Sequence, residues 1–202
     1  MGLTKLRYGN TNTFYIAGAN GGLLIDTDYA GTLPRFFKAI KSACIDIGDI
    51  TYLLATHYHP DHIGIVGELQ KLGIMLLLVD VQRGSVHFSD EIFFRDKRLH
   101  YQPIDENAAR VISFAESRSF LRSIGIGGEI IHTPSHSIDS ISVILDDGNC
   151  IVGDLEPAAY LAAYDDNPML KSDWEHIMRH HPKRILFAHV NEKECEMTHW
   201  TG

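Results

Sequence analysis

The chain lacks the features that mark membrane proteins, secreted disulfide-rich domains and thiolate metal sites. It contains no run of about 18 apolar residues, so no transmembrane helix is expected. The N-terminal segment Met1–Arg7 has no apolar core of the kind found in signal peptides. Only three cysteines occur, Cys44, Cys150 and Cys195, and none belongs to a Cys-x-x-Cys pair. We therefore expect a cytoplasmic protein with reduced thiols.

Positive charge is also scarce. The 202 residues include 18 Lys and Arg against 26 Asp and Glu, which gives a formal net charge of −8, and no basic run exceeds two residues. A nucleic-acid-binding protein needs a positive surface to hold phosphates, so nucleic acid is not an expected partner. The length and the 45% hydrophobic content fit one globular domain over residues 1–202.

Histidine, by contrast, is concentrated in one short stretch. The sequence His57-Tyr58-His59-Pro60-Asp61-His62 places three imidazoles and a carboxylate within six positions, shortly after the apolar run Tyr52–Ala55. If that run is a short buried strand, the stretch leaves its end on a loop, where a rigid scaffold can direct side chains at one point. Imidazole and carboxylate ligands favour Zn²⁺, Fe or Mn. Taken alone, the stretch is also compatible with a chance cluster of solvated histidines.

Three further metal-competent residues follow apolar runs that have the length of buried strands. His136 comes soon after Ile130–Ile131, Asp154 ends the run that starts at Cys150, and His189 comes directly after 185–188. The ends of four such strands can converge on one edge of a sheet. The distribution therefore favours one metal site over a chance cluster.

These motifs resemble those of the metallo-β-lactamase superfamily. The resemblance consists of His-x-His-x-Asp-His at 57–62, His-Thr-Pro-x-His-Ser at 132–137, Gly-Asp at 153–154, the final His189, and a segment at 12–27 similar to the entry hairpin of that family. It implies an α+β fold, a four-layer αββα sandwich with the metal site along one edge. Two positions depart from the family pattern: Ser135 stands where Gly is usual before the ligand His, and Asp28 stands where Gly usually follows Asp-Thr. A non-Gly residue is harder to place at positive φ.

The resemblance also implies the ligands of two ions. It assigns His57, His59 and His136 to one metal, Asp61, His62 and His189 to the other, and Asp154 to both as a bridge. The expected cofactors are two divalent ions, Zn²⁺ first with Fe or Mn as alternatives, and the expected chemistry is hydrolysis by a bridging hydroxide. Asp61 is also a candidate catalytic residue that orients the nucleophile, but a ligand carboxylate is a poor base, so ligation is the preferred role. His132 is interpreted as a packed or supporting residue, not as a ligand.

Periodicity and turn residues predict the other elements. These are a hairpin over 11–26, helices over 33–43, 63–72 and 105–124, a helix opening at a Ser172-x-x-Glu175 capping box, and strands over 74–79, 129–132, 141–145, 149–152 and 184–188. The connection over 80–103 is long, aperiodic and aromatic. Two interpretations of it stay open, an active-site loop and a surface segment that covers the core.

The expected substrate is a small ester, thioester or lactone. Asp154 stands where several true β-lactamases have Cys, so the chain is more similar to the hydroxyacylglutathione hydrolase and lactonase branches, yet residues 155–170 contain no Lys or Arg to hold glutathione. Candidate substrate contacts are Phe93, Tyr160 and Tyr164. The alternatives are β-lactam or phosphodiester hydrolysis, an iron-dependent oxidoreductase, and a nonenzymatic metal-binding sensor on the same fold.

Overall fold

Two β-sheets form the centre of the molecule. The structure is a computed structural model that describes residues 2–162 and 167–189. Within them, the first sheet has six strands in sequence order. They are β1 (Gly2–Arg7), β2 (Asn12–Ala17), β3 (Gly22–Ile25), β4 (Ile50–Leu54), β5 (Met75–Val79) and β6 (Arg110–Ile112). β1, β2 and β3 pair antiparallel, and β3 to β6 pair parallel.

The second sheet has four strands in the order β10-β9-β8-β7. They are β7 (Gly128–His132), β8 (Ile141–Leu145), β9 (Asn149–Gly153) and β10 (Arg184–Phe187). β9 and β10 are parallel, so both point their carboxyl ends at the same edge, while β7, β8 and β9 are antiparallel neighbours. The predicted hairpin over 11–26 and the predicted strands of both sheets are present.

Helices cover the outer faces of the two sheets. The described ones are α1 (Leu33–Ser42), α2 (Pro60–Ile63), α3 (Val66–Lys71), α4 (Asp90–Phe94), α5 (Phe114–Ser123) and α6 (Pro168–Met178). Among them, none combines the length and the apolarity needed to span a bilayer.

Three apolar clusters fill the spaces between the layers. Because side chains alternate along a strand, Leu24 and Leu53 face the cluster under α1 to α4, whereas Leu23 and Leu54 face the cluster shared with the second sheet. The third cluster lies between the second sheet and α6, and its largest member is the fully buried Trp174. The layers are therefore helix, sheet, sheet and helix, which confirms the predicted α+β sandwich.

The predicted helix over 105–124 is wrong in its first part. A 3-10 turn at Glu106–Ala108 is followed by the edge strand β6, and α5 begins only afterwards. The backbone N–H and the hydroxyl of Ser113 both donate to the Glu116 carboxylate, at 2.8 and 2.7 Å, and this fixes the helix start. The β-branched Val111 and the Ser-x-x-Glu pattern were the available signals for strand and cap.

The predicted helix over 63–72 starts later than expected, because α2 ends at Ile63 and α3 begins at Val66. Gly64 lies at the break, where its N–H donates to the carbonyl oxygen of Asp28 at 2.9 Å instead of continuing a helix. A Cβ on Gly64 would collide with the backbone of Tyr29 and Ala30. The close approach of the 28–30 segment therefore requires glycine and interrupts the helix.

The last helix begins earlier than predicted. α6 starts at Pro168, one turn before Ser172, and the Asn167 side chain accepts from the Leu170 N–H at 3.0 Å. Asn167 is the cap and Pro168 occupies the first helical position, where the missing N–H costs nothing. Ser172 is an interior helix residue.

Candidate metal centre

The seven predicted ligand residues lie together at one edge of the sandwich. They form three overlapping groups in which every donor atom lies within 4.8 Å of the others. The groups are His57, His59 and His136; His57, His62 and Asp154; and Asp61, His62 and His189. Backbone hydrogen bonds join the strand ends that carry them. The Ile141 N–H donates to the Thr56 carbonyl oxygen at 2.9 Å, and the Ala188 N–H donates to that of Gly153 at 2.9 Å.

The first group directs three imidazole nitrogens at one point. His57 Nε2 lies 3.0 Å from His59 Nδ1, and His136 Nε2 lies 3.1 Å from the same His59 atom. The other nitrogen of His57, Nδ1, lies 3.2 Å from the hydroxyl of Thr56, which fixes the ring orientation. Three convergent imidazoles are a donor set typical of zinc sites.

The group of Asp61, His62 and His189 combines two imidazoles with a carboxylate. His189 Nε2 lies 3.2 Å from Asp61 Oδ2, and His62 Nε2 lies 4.0 Å from Asp61 Oδ1. His189 Nδ1 lies 3.3 Å from the carbonyl oxygen of Asn10, to which it can donate, so that Nε2 is left to face the group. This is the second donor set that the family resemblance implies.

Asp154 lies between the group of His57, His59 and His136 and the group of Asp61, His62 and His189. One of its carboxylate oxygens faces each group. Its Oδ1 lies 3.3 Å from His62 Nε2 and 3.2 Å from His189 Nε2, and its Oδ2 lies 3.8 Å from His57 Nε2 and 3.8 Å from His136 Nε2. Its position depends on Gly153, whose φ of 58° is left-handed and whose Cβ, if present, would collide with Thr56. The carboxylate therefore faces both groups of histidines.

Two buried polar atoms in the donor set lack hydrogen bonds, which is a further indication that the set can bind metal ions. His62 Nε2 and Asp154 Oδ1 are buried and lie 3.3 Å apart, but neither makes a hydrogen bond of acceptable geometry. Burying a polar atom without a partner costs roughly 1 to 3 kcal/mol, so such atoms indicate a missing ligand. A divalent cation would satisfy both atoms, since each offers a lone pair.

Burial and carboxylates act in opposite directions on the ionisation of this site. Burial, with repulsion from neighbouring imidazoles, lowers the pKa of His57 far below its usual range. Burial also lowers the pKa of His62, but the nearby carboxylates outweigh it and raise that pKa to about 10. Close contact with the carboxylate of Asp154, and then with that of Asp61, raises the pKa of His189 to about 10. The carboxylates draw protons onto imidazoles where a cation would supply the same positive charge.

Asp26 supports both groups, and the predicted ligand set did not include it. It follows β3, is fully buried, and has a φ of 59°. Its Oδ1 accepts from the Thr56 N–H at 2.6 Å, and its Oδ2 accepts from the Thr56 hydroxyl at 2.9 Å and lies 3.1 Å from His62 Nδ1. One carboxylate thus orients His62 directly and His57 through Thr56. The signal in the sequence was an acidic residue directly after a strand.

A second set of buried polar side chains fixes the backbone of the ligand loop. Asp139 Oδ2 accepts from the Tyr58 N–H at 2.8 Å, between two ligand residues. The Ser89 hydroxyl donates to the Tyr58 carbonyl oxygen at 2.8 Å. The Gln82 amide donates to the carbonyl oxygens of Ala55 and Asp139, at 3.0 and 3.1 Å. The loop that carries His59 is therefore held from both sides.

His132 supports the loop of His136 and is not one of the grouped donors. Its Nε2 donates to the carbonyl oxygen of Ile138 at 2.8 Å, and its ring packs on Phe114 at a centroid distance of 5.5 Å. The bond closes the loop over residues 132–138. The interpretation of His132 as a packed, supporting residue agrees with these contacts.

Comparison with known proteins places the chain in a family. The sequence model of the metallo-beta-lactamase superfamily matches residues 6–189. The chain belongs to the metallo-beta-lactamase superfamily. The membership predicted from the histidine motifs is thus confirmed.

One curated relative and two solved structures illustrate what the chain is similar to. An atrochrysone carboxyl ACP thioesterase from Pseudocercospora fijiensis is 26% identical over 144 residues, which cover 71% of this chain and 36% of the relative's length. A metallo-beta-lactamase family protein from Thermus thermophilus superposes with a TM-score of 0.71 at 18% identity, covering 94% of this chain and 73% of the other. A class B3 di-zinc metallo-beta-lactamase, LRA-12 from an Alaskan soil metagenome, has a TM-score of 0.59 at 16% identity, covering 92% and 78%. At such identities the two structural matches show the fold.

The two departures from the superfamily pattern are accommodated without positive φ. Neither Asp28 nor Ser135 belongs to the non-glycine residues with positive φ in the described chain. The Asp28 carboxylate accepts from the N–H groups of Thr11 and Tyr29, at 3.1 and 2.6 Å. The Ser135 N–H donates to Asp173 on α6 at 2.8 Å. Side-chain hydrogen bonds hold these two loops.

The prediction that Phe93 contacts substrate is contradicted by its burial. Phe93 is 1% exposed, because its ring packs between Tyr29 and Tyr101 at centroid distances of 5.2 and 4.3 Å. Phe88 lies nearer the centre: it is 69% exposed and its ring is 6.3 Å from that of His59. The 80–103 connection therefore covers the core with its second half and reaches the candidate metal centre with Phe88.

Two of the depressions beside the candidate metal centre have largely apolar linings. One of about 160 Å³ lies beside His59 and is lined by Phe88 and the 77% exposed Ile138, among others. The other, of about 310 Å³, lies beside His189 and Asp154. Its apolar lining residues are Leu155, Pro157 and Phe187. The centre is thus open on two sides, and each side offers apolar surface.

The remaining predicted substrate contacts lie beyond Asp154. Tyr160 belongs to a 3-10 turn at Ala158–Ala162 and is 49% exposed. Its contact with substrate stays a prediction. Tyr164 lies outside the described residues.

Proposed function

We propose that this superfamily member is a binuclear metal-dependent hydrolase of small thioesters, with esters and lactones as related substrates. The observation that carries the proposal is the placement of Asp154, with one oxygen toward each of two histidine groups. Such a bridge supports two ions, and we propose Zn²⁺ at both, with Fe or Mn as alternatives. The di-zinc name of one structural neighbour agrees with this choice.

The proposed ligands divide the site into a buried floor and an open side. His57 and His62 have side chains that are 1% and 0% exposed, whereas those of Asp61 and His189 are 37% and 39% exposed. When bound, two ions would lower the pKa of a water molecule and polarise a substrate carbonyl. His57 and His62 would fix the ions from below, with Asp26 holding their rings. Asp61 lies at the open side, where a ligand carboxylate also orients an attacking water.

We prefer thioesters as substrates for two reasons: the site has an apolar depression that suits an acyl group, and a relative is named a thioesterase. The apolar depression beside His59 suits an acyl group, since burying a chain there removes apolar surface from water. A relative is named a thioesterase, although this chain spans 36% of its length. The acidic composition and the absence of long basic runs disfavour a phosphodiester polymer.

Elemental analysis followed by a substrate panel tests the proposal. Protein produced in medium with balanced Zn, Fe and Mn should contain two transition-metal ions per chain, and it should hydrolyse at least one thioester, aryl ester or lactone. Stoichiometric iron with oxygen consumption would favour the oxidoreductase alternative. Cleavage of structured RNA with no turnover across the panel would overturn the substrate assignment.

Chelation is expected to lower the melting temperature without unfolding the protein at room temperature. Ions bound only by the folded state stabilise it by mass action, by about 2.7 kcal/mol for a site filled at about 100 times its Kd. For a chain of this size that corresponds to roughly 5 to 10 °C per site. Differential scanning calorimetry with and without chelator measures the shift. Loss of far-ultraviolet circular dichroism on chelation at 25 °C would instead show that the ions hold the fold together.

Phe88→Ala is expected to raise KM for thioesters with long acyl chains by about tenfold, because burial against one aromatic ring contributes roughly 1.5 kcal/mol or more. The effect should shrink as the acyl chain shortens. Phe94→Ala is the matched control: Phe94 is 55% exposed in the same segment, but its ring packs on Tyr101, 5.5 Å away. Equal effects of the two substitutions at every chain length would remove Phe88 from the substrate site.

A further inference from the structure

A basic groove lies between α1 and β1, the edge strand of the first sheet. It encloses about 470 Å³. Its charged lining residues are Lys5 and Arg7 from β1 and Arg35 and Lys38 from α1. All four are exposed, and no acidic residue lines the groove.

This concentration of positive charge is unusual for an acidic chain. The whole sequence has a formal net charge of −8, yet neither Gly2–Arg7 nor Leu33–Ser42 contains an Asp or Glu. Within the described part of the chain, no carboxylate pairs with Arg35 or Lys38. Exposed charges of this kind contribute little to folding stability, whereas a cleft of one sign attracts ligands of the opposite sign. The groove is therefore suited to an anion.

The groove is close to the metal centre along the chain. Arg7 ends β1 and precedes Asn10 by three residues, so their Cα atoms are at most about 11 Å apart. The Asn10 carbonyl oxygen lies 3.3 Å from His189 Nδ1. Asn12, at the start of β2, donates from its backbone N–H to the Ala188 carbonyl oxygen at 2.7 Å. The Arg7 end of the groove is thus on the His189 side of the centre, and the depression next to Phe88 is on the His59 side.

We propose that this groove binds the phosphate-bearing part of the substrate's thiol carrier, an inference that rests on the proposed thioesterase function. A thioester hydrolysed by water gives a carboxylic acid and a thiol. With the acyl group in the depression by Phe88, the thiol half would leave on the His189 side toward Arg7 and Arg35. A phosphopantetheine-type arm carries a phosphate at a distance from its sulfur and matches this arrangement. Free coenzyme A and an acyl-carrying protein present the same arm.

Binding of coenzyme A tests the groove without any need for turnover. We expect the double substitution Arg35→Glu and Lys38→Glu to weaken coenzyme A binding by at least about tenfold, since each charge-assisted contact to phosphate is lost and repulsion replaces it. The control is Arg110→Glu with Arg122→Glu, which changes the net charge equally. Arg110 lies on β6, at the opposite edge of the sheet from β1, and Arg122 lies on α5. Isothermal titration calorimetry of the metal-loaded proteins gives both dissociation constants.

Steady-state kinetics then connects the groove to the reaction. For acyl-coenzyme A, the groove variant should lose at least about tenfold in kcat/KM, while the N-acetylcysteamine thioester of the same acyl group, which has no phosphate, should be hydrolysed as by the unaltered enzyme. Assaying the same acyl group on a phosphopantetheinylated carrier protein distinguishes coenzyme A from a carrier protein as the source of the arm. The natural thioester should show the larger kcat/KM.

The outcomes separate this inference from the proposed function. If the N-acetylcysteamine thioester is hydrolysed but the groove variant treats phosphorylated and unphosphorylated thioesters alike, the groove proposal is wrong and the hydrolase proposal stands. Equal loss of coenzyme A binding in the groove variant and in the control variant would likewise overturn the groove. A third outcome is that no thioester is hydrolysed although coenzyme A binding depends on Arg35 and Lys38. The groove would then be an anion-binding site, and the thioesterase proposal would be wrong.

Discussion

The Asp154→Ala variant is expected to lose most of both metal ions and all measurable turnover. Asp154 is the residue assigned to both ions, with oxygens 3.2 and 3.3 Å from His189 and His62 and 3.8 Å from His57 and His136. Without it, each group keeps its other donors but loses the shared negative charge that offsets two adjacent cations. Elemental analysis after gel filtration, combined with thioester turnover, measures both effects.

Two further variants are compared with Asp154→Ala, one expected to affect a single metal site and one expected to affect neither. His57→Ala should mainly empty one site, because His57 is assigned to one ion. Glu156→Ala is the matched control for metal content, since Glu156 lies two residues after Asp154 and lines the depression beside His189 without belonging to the grouped donors. Unchanged metal content in Asp154→Ala, or a ratio near one in the unaltered chain, would count against two bridged ions.

The second large effect is expected at Asp26, which touches no ion in the proposed ligand set. Asp26→Asn should lower metal affinity by about 10- to 100-fold, the range typical of carboxylates that orient ligand histidines. An amide in place of the carboxylate keeps one acceptor for the Thr56 N–H but presents a donor to the Thr56 hydroxyl and to His62 Nδ1. Because Asn tolerates positive φ about as well as Asp, the φ of 59° is retained and the effect reports on the hydrogen bonds.

Competition with a fluorescent zinc chelator measures the affinities, and far-ultraviolet circular dichroism checks the fold. Asp28→Asn is the control: Asp28 is also buried and accepts two backbone N–H groups, but its side chain contacts no proposed ligand. Both sites should weaken in Asp26→Asn, since His57 is held through Thr56 and His62 is held directly. An effect no larger than that of Asp28→Asn would show that Asp26 only supports the fold.

Local patterns in the sequence were enough to predict much of the architecture. Strands with continuous apolar runs, such as β4 and β8, and the hairpin turn at 18–22 could be predicted because their signals lie within a few residues. The errors arose where a tertiary contact overrode a local pattern. Gly64 breaks a helical pattern because the 28–30 segment packs against it, and β6 forms because β5 offers a free edge next to it.

The sequence by itself determined which residues could bind metal. The imidazoles and carboxylates, and their positions after apolar runs, can be read directly from the order of the residues. Only the tertiary structure decided how they are used. It placed Asp154 between two groups, made Asp26 the support of both, buried Phe93 and exposed Phe88, and put the cations of β1 and α1 in one groove. Residues far apart in sequence meet only when sheets and helices pack, and the packing fixes which way each side chain points.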